Sequence, residues 1–325
     1  MTILTPFIRK VAMLLMLGIL PWSSALAQTF PSKPIRLVVP YPPGGGADGN
    51  ARLLSQPMAT ILGQPIVVEN KPGASGILAA TNVLQSPADG YTLLFDTFPY
   101  VVNAVMHKLS FDPVKDLIPV SQAINMPLIL VVPSDTPFKT LQELMTYAKA
   151  NPGKLNYASY GAGGAAHLAA EMLGRDAGID WVHVPYKGGA PAMADVLAGR
   201  VSAYFTNPIT GLAHIKSGKI RPLATTGLQR MQVLPDVPTI AESGYKDFDV
   251  VEWNGFFVPK GTPEDVIQKL AQAIKAATQA PEVRKRMIDT GVEPVGNSPK
   301  EFAAFLQAQI TKWGALVKTN NIKAD

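Results

Sequence analysis

Val39-Pro40-Tyr41-Pro42-Pro43-Gly44-Gly45-Gly46-Ala47-Asp48-Gly49-Asn50 is the stretch on which the reading of this chain turns. Gly44, Gly46 and Gly49 spell G-x-G-x-x-G between an apolar run and a helical pattern, and Glu69 follows twenty residues after the last of them. In that setting the pattern matches a dinucleotide-binding fingerprint. The physics underneath is more general. The first N–H groups of a helix lack intrahelical partners and carry a partial positive charge, and glycines let a ligand come close to them. Three consecutive glycines predict anion binding; a plain tight turn with Asp48 capping its helix is the alternative.

The same local grammar appears twice. Residues 35–39 read as a buried strand, then the glycine loop, then a helix from about 48 to 62 that Pro57 is expected to kink. Strands at 66–69 and 91–95, with a helix near 76–85 between them, extend the alternation and predict an α/β lobe with a largely parallel sheet. A second series begins after 128–132. Thr140 and Glu143 form a capping box, and that helix ends at Asn151-Pro152-Gly153. Then come a strand at 155–158, the loop Ser159-Tyr160-Gly161-Ala162-Gly163-Gly164, and a helix through His167. Strands near 181–184 and 201–205 flank a helix at 191–197. Another apolar stretch, 255–258, follows Trp253, and Ser298 with Glu301 opens the last helix. Its residues Phe302, Phe305, Leu306, Ile310 and Trp313 share one face. Strand, glycine loop and helix thus recur, one copy per lobe, which suits a two-lobed protein that clamps a small anion.

Other features bound the function. Arg9 and Lys10 precede the apolar run 11–20, and Ala25-Leu26-Ala27 is a small-x-small cleavage site. Residues 1–27 therefore read as a secretory signal peptide, too short in its apolar part to span a bilayer comfortably. Without that leader, 27 basic residues face 24 acidic ones, a scattered +3 that gives nucleic-acid binding no support. The chain has no cysteine, which excludes disulfides, thiolate metal sites and thiol catalysis. Neither glycine loop ends in Gly-Lys-Ser/Thr, and no G-x-S-x-G occurs. His167 and Glu171 are spaced i,i+4 but have no third ligand in pattern, so a hydrogen-bonding histidine is expected there rather than a metal. Export without a twin-arginine signal, and Asp48 beside the would-be pyrophosphate, argue against an NAD-dependent dehydrogenase.

Taken in order along the chain, several groups resemble the Bug family, the TctC-like periplasmic substrate-binding subunits of tripartite tricarboxylate transporters. They are Pro42-Pro43-Gly44-Gly45-Gly46-Ala47-Asp48 with Ala51-Arg52, Val67-Val68-Glu69-Asn70-Lys71-Pro72-Gly73-Ala74 and Asp89-Gly90-Tyr91-Thr92-Leu93-Leu94. Phe111-Asp112-Pro113-Val114-Lys115-Asp116, Asn156-Tyr157-Ala158-Ser159 and Val184-Pro185-Tyr186-Lys187-Gly188 follow, then Leu234-Pro235-Asp236-Val237-Pro238-Thr239 and Pro259-Lys260-Gly261-Thr262-Pro263. The resemblance implies a type II periplasmic-binding-protein (Venus flytrap) fold with a mainly parallel sheet in each lobe. It implies a first lobe of 28–131 plus 252–325 and a second of 132–251, with crossings near Val131 and Trp253.

It further implies a carboxylate pincer made by the two glycine loops. The expected ligand contacts are Tyr41, Pro43, Gly44, Gly45, Gly46, Asp48, Asp96 and Phe98 from the first lobe. Ser159, Gly161, Gly163, His167, Thr206 and Asn207 come from the second. No catalysis, cofactor or metal is implied. The expected partners are a small carboxylate and the transporter's membrane permease, with the protein a periplasmic monomer; a sensor that presents its ligand to a receptor domain is the alternative. Two departures from the family pattern bear on the ligand. Thr206-Asn207-Pro208 stands where an acid is common, which weakens the case for an amino acid. Phe98 and Tyr100 would suit a flat or apolar body on the acid, while Asp96 opposes a second carboxylate.

Overall fold

A computed structural model describes residues 29–161, 163–320 and 322. The leader expected at 1–27 lies outside them. The chain runs β1 (Ile35–Val39), α1 (Gly46–Leu62), β2 (Ile66–Asn70), α2 (Ile77–Leu84), β3 (Thr92–Thr97), α3 (Pro99–Met106) and β4 (Leu117–Pro127). It continues β5 (Ile129–Pro133), α4 (Leu141–Ala150), β6 (Asn156–Ser159), α5 (Ala165–Ala177), β7 (Val182–Pro185), α6 (Gly189–Leu197) and β8 (Ala203–Thr206). Then follow α7 (Pro208–Lys216), β9 (Ile220–Thr225), β10 (Val251–Pro259), α8 (Glu264–Gln279), α9 (Pro281–Asp289), β11 (Glu293–Pro294) and α10 (Pro299–Thr319).

These strands make two sheets, one per lobe, ordered β11-β4-β10-β3-β1-β2 and β7-β6-β8-β5-β9. β1 pairs in parallel with β2 and β3, and β6 with β7 and β8. The remaining pairings are antiparallel, so each sheet is parallel only in the half that carries its glycine loop. The alternation of strand and helix predicts the parallel half. The antiparallel pairings centre on β10 and β5, the strands that enter from the other lobe and run against both neighbours. β1 is buried on both faces, with Leu37 and Val39 in one apolar cluster and Val38 in the other, hence its unbroken apolar run.

The lobes are joined where β4 hands over to β5 and where β9 returns to β10. Val131 lies inside β5 in the second sheet, so the first crossing falls at Leu128, three residues before the expected point. The buried Thr226 ties both crossings together. Its hydroxyl accepts the Leu128 N–H at 2.8 Å and donates to the Val250 carbonyl, and its N–H donates to the Leu128 carbonyl at 2.9 Å.

α10 opens with the expected capping box at Ser298 and Glu301, and α4 with the one at Thr140 and Glu143. α10 buries Phe302, Leu306 and Trp313 against the first sheet and α3. Gly255 lets it sit close, since a Cβ there would fall 2.2 Å from Phe302 Cζ. α1 runs on through Pro57 as one element. None of the described helices is long and apolar enough to cross a membrane.

Candidate functional site

In a β-strand–loop–helix unit the helix starts at the carboxyl edge of its strand. β1, β3, β6, β7 and β8 lead directly into α1, α3, α5, α6 and α7, and β2 reaches α2 through a short 3-10 turn. The parallel edges of the two sheets therefore face the crevice where ligands bind in open α/β sheets. Contacts across it are close. A Cβ on Gly46, at the start of α1, would lie 3.8 Å from Ile209 Cδ1 at the start of α7. Gly163 of the second loop lies against Val102 and Met106 of α3.

The first loop is held from below. Gly45 is the N-cap of α1, extended at φ −77° and ψ 170°, and no side chain caps the helix. Gly44 adopts φ +82°, a left-handed conformation that glycine takes without strain. Asp48 is not the cap the sequence suggests. From the third position of the helix its carboxylate accepts the Gly44 N–H at 2.9 Å, Arg52 Nε at 3.0 Å and Asn70 Nδ2 at 2.9 Å. Arg52 chiefly, with Gly44 and Asn70, holds its pKa down at about 2. Asn70 also donates to the Tyr41 carbonyl, and the Tyr41 hydroxyl meets Thr97 Oγ1 at 2.5 Å. Asp48 thus braces the loop, while Pro43, Gly44, Gly45 and Gly46 remain exposed. Glu69 pairs with Lys71 at 2.9 Å and Arg36 at 2.8 Å, which accounts for it without a ribose.

The second loop is packed inward. Ser159 is fully buried, its Oγ 2.7 Å from His183 Nε2. Gly161 and Gly163 have φ of +152° and +71°. The Gly163 N–H donates to His167 Nδ1 at 3.0 Å, so that nitrogen carries no proton. His167 stacks on His183 with centroids 4.0 Å apart, and its Nε2 lies 3.9 Å from Glu171 Oε1. No group of three potential ligands for a metal occurs among the described residues. Gly164 is the N-cap of α5, again with no side-chain cap. The Tyr160 ring packs beside the helix start, where a Cβ on Gly164 would lie in ordinary contact with it, 3.4 Å from Cε2. The Tyr160 hydroxyl then donates across the crevice to Glu252 on β10.

The strand ends complete the picture. Asp96 is 1% exposed, accepts the Thr97 N–H at 2.7 Å, and is pushed up to about 7 by burial. Thr206 is buried and donates to the Asn207 carbonyl, while Asn207 Oδ1 caps α7 by accepting the Thr210 N–H at 2.9 Å. Phe98 and Tyr100 do not form a wall for a flat ligand. The chain turns into α3 at Pro99, which directs Phe98 onto Trp313 (centroids 5.3 Å) and stacks Tyr100 on Phe257 (4.5 Å). Both rings belong to the core. Glu252, Tyr160 and Tyr204 escaped the sequence reading. The available signal for Glu252 was a lone acid inside Val250-Val251-Glu252-Trp253. Burial raises its pKa to about 7.

Residues 50–322 match the family model described as the tripartite tricarboxylate transporter family receptor. The chain is a member of that family. Protein BugT of Bordetella pertussis (strain Tohama I) is 36% identical over 300 residues, which is 91% of this chain and 92% of BugT. Two solved structures are similar along almost their whole length. An R. palustris protein with adipate is 32% identical, covering 90% of this chain and 99% of that one, with TM-score 0.79. MatC from Rhodopseudomonas palustris with bound malate is 34% identical, covering 89% of this chain and 100% of that one, with TM-score 0.75. The receptor thus shares its fold with binding proteins, and both glycine loops lie on the carboxyl edges that face each other in it.

Proposed function

We propose that this receptor is a periplasmic solute-binding protein that closes its two lobes on a small carboxylate and delivers it to a tripartite tricarboxylate-type permease. One observation carries the reading: two uncapped helix N-termini, those of α1 and α5, each preceded by a glycine loop, stand one in each lobe. A partly buried helix N-terminus contributes up to ~2 kcal/mol to an anion, and a charge-assisted hydrogen bond about 1.5–3 kcal/mol. Micromolar affinity requires about 8 kcal/mol after ordering costs. The two loops can therefore anchor one carboxylate, and the rest of the crevice chooses the acid. Adipate and malate in the similar proteins support this class of ligand. The leader expected at 1–27 supports export, and the protein works as a monomer in this reading.

Gly44, Gly45, Gly46, Gly161 and Gly163 shape the pincer; Tyr41, Pro43, Ser159, His167, Thr206 and Asn207 line or support it. Asp48 acts by holding the first loop. A thermal-shift screen over organic acids tests the proposal. A true ligand at 100 times Kd stabilises the protein by about 2.7 kcal/mol. Absence of any shift across mono-, di- and tricarboxylates, with the protein folded, would sink it.

A further inference from the structure

A clamp needs N–H donors from both glycine loops, yet in the second loop three of them are already taken. Gly161 N–H goes to Ser159 Oγ at 3.3 Å, Gly164 N–H to the Gly161 carbonyl at 3.3 Å, and Gly163 N–H to His167 Nδ1 at 3.0 Å. The last acceptor differs in kind, because a proton switches off an imidazole nitrogen near neutrality but not a carbonyl or a hydroxyl. His167 is 8% exposed. Its ring stacks on His183 of β7 with centroids 4.0 Å apart and planes 8° apart, and on Tyr157 of β6 at 6.4 Å. Its Nε2, which carries the proton while Nδ1 is an acceptor, lies 3.9 Å from Glu171 Oε1 one turn along α5. Glu171 is fixed in turn by the Tyr157 hydroxyl at 2.7 Å and by Asn320 at the end of α10 at 3.1 Å.

These contacts make a switch with two states. With Nδ1 bare, His167 takes the Gly163 N–H, and the loop is shut to an anion at that point. A proton on Nδ1 ends that bond, since two donors would then face each other, and leaves the amide and an imidazolium N–H side by side. We propose that capture of a carboxylate at the second loop takes up one proton from solvent, received by His167 at Nδ1, so that the Gly163 amide and the imidazolium hold the anion together. This inference rests on the carboxylate reading of the same site and adds its regulation: affinity rises as pH falls through neutrality. The surroundings suit one proton and no more. Glu171 is the counter-charge beside Nε2, and a second imidazolium on His183, 4.0 Å away, would be repelled. From β6 come Tyr157 and Ser159, whose Oγ lies 2.7 Å from His183 Nε2, and α3 faces the loop with the apolar Val102 and Met106. Glu252 of β10 reaches the loop through the Tyr160 hydroxyl. Lys312 of α10 acts on Arg175 and Asp176, more than two turns farther along α5.

Calorimetry on the full protein tests this with whichever of acetate, benzoate, malate and adipate gives the largest thermal shift. At pH 7, in PIPES and in imidazole buffers, whose ionisation enthalpies differ, binding should take up a proton in part. Kd should fall about tenfold between pH 8 and pH 6. His167→Gln keeps an acceptor for the Gly163 N–H but cannot titrate there, so it should abolish both the uptake and the pH dependence. Asp96 and Glu252 titrate in the same range, and uptake through them would survive in that variant. Surviving uptake, or a Kd flat from pH 8 to pH 6, overturns the inference and leaves the carboxylate reading intact. Binding of none of these acids overturns both. Should His167→Gln fail to fold, the nitrogen NMR spectrum of the four histidines in the unaltered protein decides. Adding the acid at pH 7 must convert one ring to its doubly protonated form, and unchanged rings overturn the proposal.

Discussion

The two glycine loops share one grammar and differ in what fills them. Around the first, the brace of Asp48, Arg52 and Asn70 takes the Gly44 N–H and leaves the chain from Gly44 to Gly46 exposed. Around the second, protein groups turn inward and occupy the donors: Gly163 N–H goes to His167, Gly164 N–H to the Gly161 carbonyl, and Gly161 N–H to Ser159 Oγ. Glycine content sets where a ligand can approach. The neighbours that consume or spare each N–H decide whether it does. The first loop is an open surface held in shape, and the second is a packed one whose phenol reaches across to the other lobe.

Four changes test that contrast, starting with the largest effect. Phe98→Ala should cost about 3–5 kcal/mol of stability, as for a buried ring, and leave ligand affinity within a few-fold. Chemical denaturation beside calorimetry checks it; lost affinity at unchanged stability would return Phe98 to the crevice. Next, the acids of the two regions should respond to pH in opposite directions. Asp48 has its folded pKa depressed to about 2, so its contribution is complete above about pH 4 and disappears as pH falls toward 2. Asp48→Asn should cost about 1.5–3 kcal/mol at pH 7 and flatten that acid limb.

Glu252 and Asp96 have folded pKa values raised to about 7, so their contribution is complete below about pH 4 and is lost as pH rises through 7. The ligand-free protein should therefore be less stable at pH 8 than at pH 5.5, by on the order of 4 kcal/mol for the two acids together. A stability curve flat between these values would refute the uncompensated pair. Gly163→Ala comes third. Its φ of +71° and the Met106 sulfur 3.4 Å from the new Cβ should cost about 1–2 kcal/mol. Gly45→Ala has the smallest effect. The position is extended and the nearest atom is 3.6 Å away, so about 0.5 kcal/mol is expected, and a larger loss would show that the open loop is as tightly packed as the other.

Much of the fold was legible because its signals are local. Apolar runs of strand length, glycines before helical periodicity and two Ser/Thr-x-x-Glu boxes each act within a few residues. From these alone followed an α/β chain with two matching anion-ready loops, and the ordered motifs pointed to the family. The antiparallel half of each sheet was not legible, since it depends on strands returning from the other lobe. Phe98 was misplaced for a related reason: the sequence shows a ring after a strand end, but only packing against α10, more than two hundred residues on, sends it into the core.

By itself, then, the sequence determined the repeated strand–loop–helix units, their caps and the glycines that allow close approach to the backbone, because short-range sterics and hydrophobic period govern them. The tertiary structure decided which donors stay open, which acids go without a base, and that Glu252 meets a tyrosine ninety-two residues away in sequence. Those outcomes depend on burial and electrostatic fields built from distant segments, which no local pattern encodes.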